Sequence, residues 1–237
     1  MITPWPVEQS DFTDAYGNQL TRAAFGNGAS GELRIESRFD LDTLGGPAMA
    51  VASGLPPLPW AVPAFDELEV YRRRDGVDEA VLAFAASVLG EAGTDVDSFL
   101  TGLCRRLYTM MDRRVRFEGA AQSPQTTLAT RTGACRDLTV LFLAACRGLG
   151  LAGRFVSGYQ ARAQTPDGQR YLHAWAEIHR PGFGWAGWDP THGVPVTDGH
   201  VALCAAPDQS QTMPIEGGFY GPARTSTLDY SVRIATD

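Results

Sequence analysis

The middle of the chain carries apolar residues at the spacing of amphipathic helices. The clearest stripe, with members three or four positions apart, consists of Leu138, Leu141, Phe142, Ala145 and Leu149. It predicts a core-facing helix over residues 135–149, which glycines at 148 and 150 bring to an end. Helices are also predicted at 77–89 and at 96–111, the second capped by the Asp95 side chain, and a short helical turn is predicted at 126–130.

Beyond this helix, polar and apolar residues alternate as they do in strands. Between Tyr171 and His179 the even positions are all apolar, whereas the odd positions are titratable or aromatic. Such a strand packs one face on a core, and the other face, which carries His173, is then a functional surface. Further strands are predicted at 153–160, 184–189 and 228–234. Helices followed by strands favour an α+β fold with an antiparallel sheet.

The first 46 residues have a different pattern. A turn signal at Asp14–Asn18 and period-two alternation over Gly31–Phe39 predict a few antiparallel strands, too few for a stable sheet alone. This segment either packs on the following domain or is the end of a larger β-rich N-terminal module, and we favour the second. Breakers without periodicity predict a connecting segment over 47–75, and residues 76–237 form the main domain.

Composition and charge narrow the class of protein. Of the 237 residues, 44% are hydrophobic and 20% charged, as in a globular protein with a real core. A net charge of −7 offers no basic surface to nucleic acid or to an anionic membrane. No apolar run approaches the roughly 20 residues that span a bilayer, and no signal peptide is visible. We predict a soluble, cytoplasmic protein without nucleic-acid or membrane partners, and its oligomeric state stays open.

Four cysteines without a CxxC pair predict reduced thiols, with neither a disulfide framework nor a zinc site. Cys104, Cys146 and Cys204 are predicted to be small, buried apolar residues. Cys135 differs because it starts the predicted helix, where unpaired N–H groups and the helix dipole favour a thiolate. Gly133, just upstream, allows a close backbone approach and leaves room for a substrate. Taken alone, Cys135 is still better explained as a packing residue. A catalytic role therefore depends on whether the sequence offers Cys135 a base and a residue that orients the base.

His173 and Asp189 supply the partners that a cysteine nucleophile needs. The turn signal at Arg180–Gly184 predicts that the flanking strands pair as an antiparallel hairpin. His173 and Asp189 then share a face if the loop has an odd number of residues, which the sequence leaves open. On one face, the carboxylate can accept a hydrogen bond from the imidazole and orient it. The alternatives are a solvated face for His173 and a turn-initiating Asp-Pro for Asp189.

Together these segments resemble the transglutaminase-like superfamily, and more narrowly its bacterial, cysteine-protease branch. The motifs are GACRD at 133–137, FVSGY at 155–159, HAWAE at 173–177 and GWAGWDPTHG at 184–193. The resemblance covers about two thirds of the chain, from Val77 on, and implies a papain-like core of helices packed on an antiparallel sheet. It implies that Cys135 is the nucleophile, His173 the base and later the acid, and Asp189 the residue that orients His173. It implies neither a cofactor nor a metal.

Two features depart from the family's pattern. The β-rich N-terminal module looks shortened by several strands. Residues Ala206–Gln209 read APDQ, where similar proteins carry Gly-Arg-Asp-Tyr, and this affects inferences about the substrate pocket more than the triad.

We therefore expect a cysteine-dependent amide-bond hydrolase, a peptidase or amidase that acts on a peptide or protein through a thioester. Acyl transfer to an amine, with Trp185 and Trp188 walling the acceptor site, is one alternative, and a catalytically silent binding module is another. The Cys135 backbone N–H is expected to stabilise the oxyanion. Gln125 is a candidate for the second donor, although a solvated loop position explains Gln125 as well.

Overall fold

The structure is a computed structural model. It describes residues 1–26, 31–43, 52–62, 66–162, 170–221, 225 and 227–236. The chain divides into two compact units, Met1–Leu44 and Gly45–Asp237. The connecting segment predicted at 47–75 falls inside the second unit, where Leu58 joins the core, although residues 47–51 and 63–65 lie outside the described part.

The first unit contains two small antiparallel sheets. Its strands are β1 (Ile2–Thr3), β2 (Glu8–Thr13), β3 (Gln19–Ala24) and β4 (Arg34–Ile35), with β1 paired to β4 and β2 to β3. The predicted turn at Asp14–Asn18 joins β2 to β3, and the Asp14 carboxylate accepts the N–H groups of Tyr16 and Asn18, each at 2.8 Å. The strand predicted over Gly31–Phe39 is much shorter. The larger β-rich module stays a prediction.

The second unit begins with helices. These are α1 (Glu79–Ala92), α2 (Val96–Met110), α3 (Pro124–Thr130) and α4 (Cys135–Gly148), with short 3₁₀ helices at Glu69–Arg72 and Gln209–Gln211. All four predicted helical segments are confirmed, with ends that differ by a few residues. The predicted cap of α2 is confirmed as well, because the Asp95 carboxylate accepts the Ser98 N–H at 2.9 Å.

An antiparallel five-stranded sheet follows. Its strands are β7 (Gly153–Gln160), β8 (His173–Arg180), β9 (Gly184–Asp189), β10 (Val194–Pro195) and β11 (His200–Ala206), in the spatial order β10-β9-β8-β7-β11. Two further strands, β5 (Asp112–Arg113) and β6 (Thr132–Gly133), pair in parallel just before α4. The prediction of a strand at 228–234 is wrong: among the described residues there, Val232 makes one isolated bridge, to Arg170.

The hairpin of β8 and β9 has the register that the candidate site needs. Arg180 pairs with Gly184, which leaves a loop of three residues, an odd number. Ala176 pairs with Trp188, so Asp189 follows on the opposite face of β9, which is the face of β8 that carries His173.

Over its first four residues, β8 is buried on both faces. Ala176 and Ile178, with no exposed surface, belong to the core beneath α4, as the alternation predicts. On the other face, Trp175 is 1% and His173 9% exposed, which rules out the alternative of a solvated face for His173. Part of the cover comes from β11, whose His200 ring lies 5.2 Å from that of Trp175. In the described parts of the chain, no helix combines the length and the apolar character needed to cross a membrane.

Gly158 permits this layering on the sheet. It stands opposite His173 in β8 and opposite Ala202 in β11. A Cβ atom at this position would lie 2.1 Å from the Val201 carbonyl oxygen and 2.6 Å from Cη2 of Trp175. Only glycine lets β11 and Trp175 come this close to β7.

We expect Gly158→Ala to lower the free energy of unfolding by about 1–3 kcal/mol, because the added methyl group collides with backbone and a buried ring. The matched control is Gly90→Ala in α1, where a Cβ meets nothing within 4 Å. That change should raise stability by up to about 1 kcal/mol, since alanine favours a helix over glycine. Urea unfolding measures both values, and equal effects of the two substitutions would contradict the close approach at Gly158.

Candidate active site

Cys135 is the first residue of α4. Its side chain is partly buried and packs against the core, as the apolar stripe predicts. Within the described structure, its backbone N–H has no hydrogen-bond partner, as expected for the first turn of a helix. The thiol therefore lies beside an unpaired donor at the positive end of the helix dipole.

The carboxylate of Asp137 fixes the first turn of α4. Its Oδ2 accepts the Ala134 N–H at 2.7 Å, while its Oδ1 accepts Arg116 Nη2 at 2.7 Å and the Gln122 N–H at 2.8 Å. Gly133 lies against this side chain, since a Cβ there would lie 2.9 Å from Cβ of Asp137, and the predicted room for a substrate stays a prediction. The loop before Cys135 is thus tied to the helix by a buried charge.

The structure brings all three predicted residues together. His173 Nε2 lies 2.7 Å from Asp189 Oδ2, and both side chains are buried. The Cys135 thiol lies close enough to the imidazole to raise the pKa of His173. Because Nε2 is taken up by Asp189, Nδ1 is the nitrogen left for Cys135.

Charge interactions between these groups are strong. Burial lowers the pKa of His173, but the Asp189 carboxylate and then Cys135 outweigh it and raise that pKa to about 10. Burial also disfavours the charged form of Asp189, which by itself raises the pKa of that carboxyl. The charge of His173 and the hydrogen bonds from His173, His192 and His200 outweigh burial and bring the pKa of Asp189 well below its usual value. The pair is therefore imidazolium and carboxylate at neutral pH.

Asp189 combines two interpretations that the sequence left as alternatives. Its Oδ1 accepts the N–H groups of Thr191 at 2.9 Å and His192 at 3.3 Å, which makes it the turn-initiating residue of the Asp-Pro sequence. Its Oδ2 faces the imidazole of His173. One oxygen thus builds the turn and the other reaches the candidate nucleophile through His173.

Two further histidines contact the same carboxylate oxygen, and sequence reasoning missed both. His192 Nδ1 lies 2.7 Å and His200 Nε2 3.0 Å from Asp189 Oδ2. Three of the chain's four histidines therefore meet at one oxygen atom. The one sequence signal was the short spacing between Asp189 and His192. His179, the fourth, lies further along β8, with its ring 5.3 Å from that of Trp185.

This cluster includes a potential set of metal ligands. His173, Asp189 and His200 offer ligand atoms within 4.8 Å of one another. However, the nitrogens lie 2.7 and 3.0 Å from the same carboxylate oxygen, which are hydrogen-bond distances. The contacts within this cluster are therefore hydrogen bonds. The predictions that no metal and no cofactor are needed stay predictions.

The other cysteines differ in exposure. Cys104 and Cys146 are buried, as predicted, and burial raises the pKa of both thiols. The Cys104 thiol also donates to the Asp189 backbone carbonyl at 3.2 Å, a contact across 85 positions that the sequence did not reveal. The prediction that Cys204 is buried is wrong: it is partly exposed on the edge strand β11, with its thiol 3.4 Å from the Thr212 carbonyl.

Three subsidiary candidates lie elsewhere. Gln125 belongs to α3, and its side-chain amide donates to the Gly76 carbonyl at 2.9 Å. This hydrogen bond occupies the amide that was the candidate second donor to the oxyanion. Trp188 has no exposed surface and belongs to the core, which leaves it no role as the wall of an acceptor site. Trp185 packs at 4.9 Å against Tyr71 instead.

Several mycobacterial proteins of uncharacterized function are similar to this chain. Those of Mycobacterium tuberculosis and Mycobacterium bovis are each 28% identical over 250 residues, which cover 98% of this chain and 79% of theirs. A Mycobacterium leprae protein is 32% identical over 108 residues, or 43% of this chain and 37% of that protein. Since these relatives are uncharacterized, they assign no activity to this chain.

A solved structure and a family model are more informative. The crystal structure of a "Putative Cysteine Protease" from Cytophaga hutchinsonii matches with a TM-score of 0.55 and 21% identity, over 89% of this chain and 70% of that one. This likeness shows the fold, an α+β, papain-like core. The family model described as the transglutaminase-like superfamily matches residues 83–190, which include Cys135, His173 and Asp189. Over residues 83–190, the chain is similar to the transglutaminase-like superfamily.

Proposed function

We propose that the protein is a cysteine-dependent amide-bond hydrolase, a peptidase or amidase, that works through Cys135, His173 and Asp189. One observation carries the proposal: a buried carboxylate holds His173 at 2.7 Å beside a cysteine at the start of a helix. Members of the superfamily are commonly enzymes, and the solved structure with this fold bears a cysteine-protease name. The substrate class is a peptide or protein, as the sequence predicts.

The first half of the reaction forms a thioester. The Cys135 thiolate attacks the amide carbonyl carbon, and the electron pair of the C=O bond moves to oxygen. The unpaired Cys135 N–H at the helix N-terminus donates to this oxyanion. The His173 imidazolium then gives its proton to the departing amine as the C–N bond breaks. Neutral His173 and an acyl group on Cys135 remain.

The second half releases the acid. Neutral His173 takes a proton from a water molecule, whose oxygen attacks the thioester carbon, and the C–S bond breaks. Cys135 leaves as thiolate and His173 is again imidazolium, so the site returns to its starting state. Partial exposure of Cys135 gives water access to the thioester, which favours hydrolysis over transfer to an amine.

Burial of the charged pair argues against a silent binding module. Removing a carboxylate and an imidazolium from water costs several kcal/mol per ion before their attraction is counted. Apolar side chains of similar volume would pack this layer at lower cost. The presence of the costly Asp189–His173 pair therefore favours a catalytic role over a binding module.

The first test is alkylation by iodoacetamide near neutral pH. We expect Cys135 to react at least about tenfold faster than Cys204, since only Cys135 has an imidazolium and a helix N-terminus beside it. Cys204 is the proper comparison because it is also partly exposed. His173→Ala should abolish the preference, and the matched control His179→Ala on the same strand should keep it. Peptide mass spectrometry measures each thiol, and equal rates at Cys135 and Cys204 would overturn the proposal.

A second test separates hydrolysis from acyl transfer. A p-nitrophenyl ester acylates an activated thiol without a specific substrate, and methylamine in excess offers an alternative acceptor to water. We expect mass spectrometry to show mainly the carboxylic acid, because water reaches the partly exposed Cys135. Cys135→Ala corrects for the uncatalysed reaction. If the amide is the main product after this correction, the protein is an acyltransferase and not a hydrolase.

A further inference from the structure

His200 makes a contact that the triad does not require. It begins β11, on the far side of the sheet order from β9, yet its Nε2 lies 3.0 Å from Asp189 Oδ2. The His200 side chain has no exposed surface. His192 lies in the same turn as Asp189, so its proximity follows from the turn. The contact of His200 with Asp189 depends instead on how β11 pairs with β7 at the edge of the sheet.

The hydrogen bonds of His200 fix its tautomer. The Thr197 backbone N–H points to Nδ1 of His200 at 3.2 Å. A backbone N–H can only donate, so Nδ1 accepts and carries no proton. The single proton of the neutral ring is therefore on Nε2, which donates it to Asp189 Oδ2. His200 is a neutral donor to the carboxylate.

The protein holds this donor firmly. The His200 N–H donates to the Thr197 carbonyl at 3.0 Å, and His200 pairs with Gln160 of β7. The Trp175 ring contacts the imidazole edge to face at 5.2 Å. A donor that is held by backbone and ring contacts keeps its direction without losing further entropy.

We propose that His200 is a positioning residue of this site, which donates Nε2–H to Asp189 Oδ2, steadies the carboxylate and takes up part of its charge. This inference rests on the proposed function, in which Asp189 orients His173. The N–H dipole directs its positive end at the oxygen that His173 also contacts. The carboxylate then attracts the His173 proton less strongly than it would alone, and His173 releases that proton more readily to a leaving amine.

The titratable groups that face Asp189 come from several elements. In the described structure they are His173 of β8, His192 of the following turn, His200 of β11 and the Cys104 thiol of α2, which contacts the backbone carbonyl. Among these, His200 is the group whose neutral tautomer is set by a backbone donor.

The first measurement tests the tautomer in the unaltered full chain. The chain has four histidines, so long-range proton–nitrogen NMR of imidazole-¹⁵N protein gives few signals, which single substitutions assign. We expect the neutral His200 ring to carry its proton on Nε2. A protonated Nδ1, or a positively charged His200 at neutral pH, overturns the inference.

The second measurement tests the effect on His173. In His200→Phe, which fills the space without a donor, we expect the NMR titration of His173 to move upward by about half a pH unit, because one N–H dipole is lost. In His200→Gln, whose amide can still donate, it should stay within about 0.2 unit of the wild type. His179→Phe, which removes the imidazole that does not contact Asp189, is the matched control and should change nothing.

The outcomes separate this inference from the proposed function. An unchanged or lowered His173 titration in His200→Phe overturns the positioning role, as does the same shift in His179→Phe. If His200→Phe does not fold, the tautomer measured in the wild type and the His173 titration in His200→Gln still decide. The NMR measurements do not depend on activity. Equal alkylation of Cys135 and Cys204 would therefore overturn the proposed function, while the hydrogen bond from His200 to Asp189 could still be tested by NMR.

Discussion

The buried carboxylate of Asp189 links the elements that form the candidate site. A carboxylate without exposed surface is costly unless nearly every lone pair has a partner. Its Oδ1 is satisfied by the backbone of the turn that follows β9, and its Oδ2 by three imidazoles. The number of partners explains why this one residue connects so many elements.

These connections assemble the candidate site. The hairpin register places Asp189 on the same face as His173, and there His200 of β11 contacts Trp175 of β8. From below, the Cys104 thiol of α2 reaches the Asp189 carbonyl. The helix N-terminus at Cys135 then supplies the remaining component, a thiol beside an unpaired backbone donor. The chemistry of the proposed triad follows from how these elements pack around one charge.

Local sequence signals predicted the elements that carry the triad. The apolar stripe and its ending predicted α4 and hence the position of Cys135, and strands β7 and β9 have the predicted bounds. The cap at Asp95 was also readable, because a cap and its helix are adjacent in sequence. Family motifs, more than periodicity, then assigned roles to His173 and Asp189.

What the sequence missed depends on distant contacts. Strand β11 shows no clean alternation, and its pairing with β7 shifts register between Ala202 and Cys204, so neither the strand nor His200 was predicted. The burial of His173 was missed for the same reason, since its cover comes from β11. Exposure of Cys204 follows from its edge position, which depends on sheet order and not on local pattern.

In the proposed mechanism, Asp189 acts on Cys135 through His173. A double-mutant cycle tests it most directly, with the alkylation rate of Cys135 measured in the wild type, Asp189→Asn, His173→Ala and the double variant. We expect Asp189→Asn to slow alkylation when His173 is present and to have no further effect once His173 is replaced. Equal slowing by Asp189→Asn in both backgrounds, or no slowing in either, would contradict it.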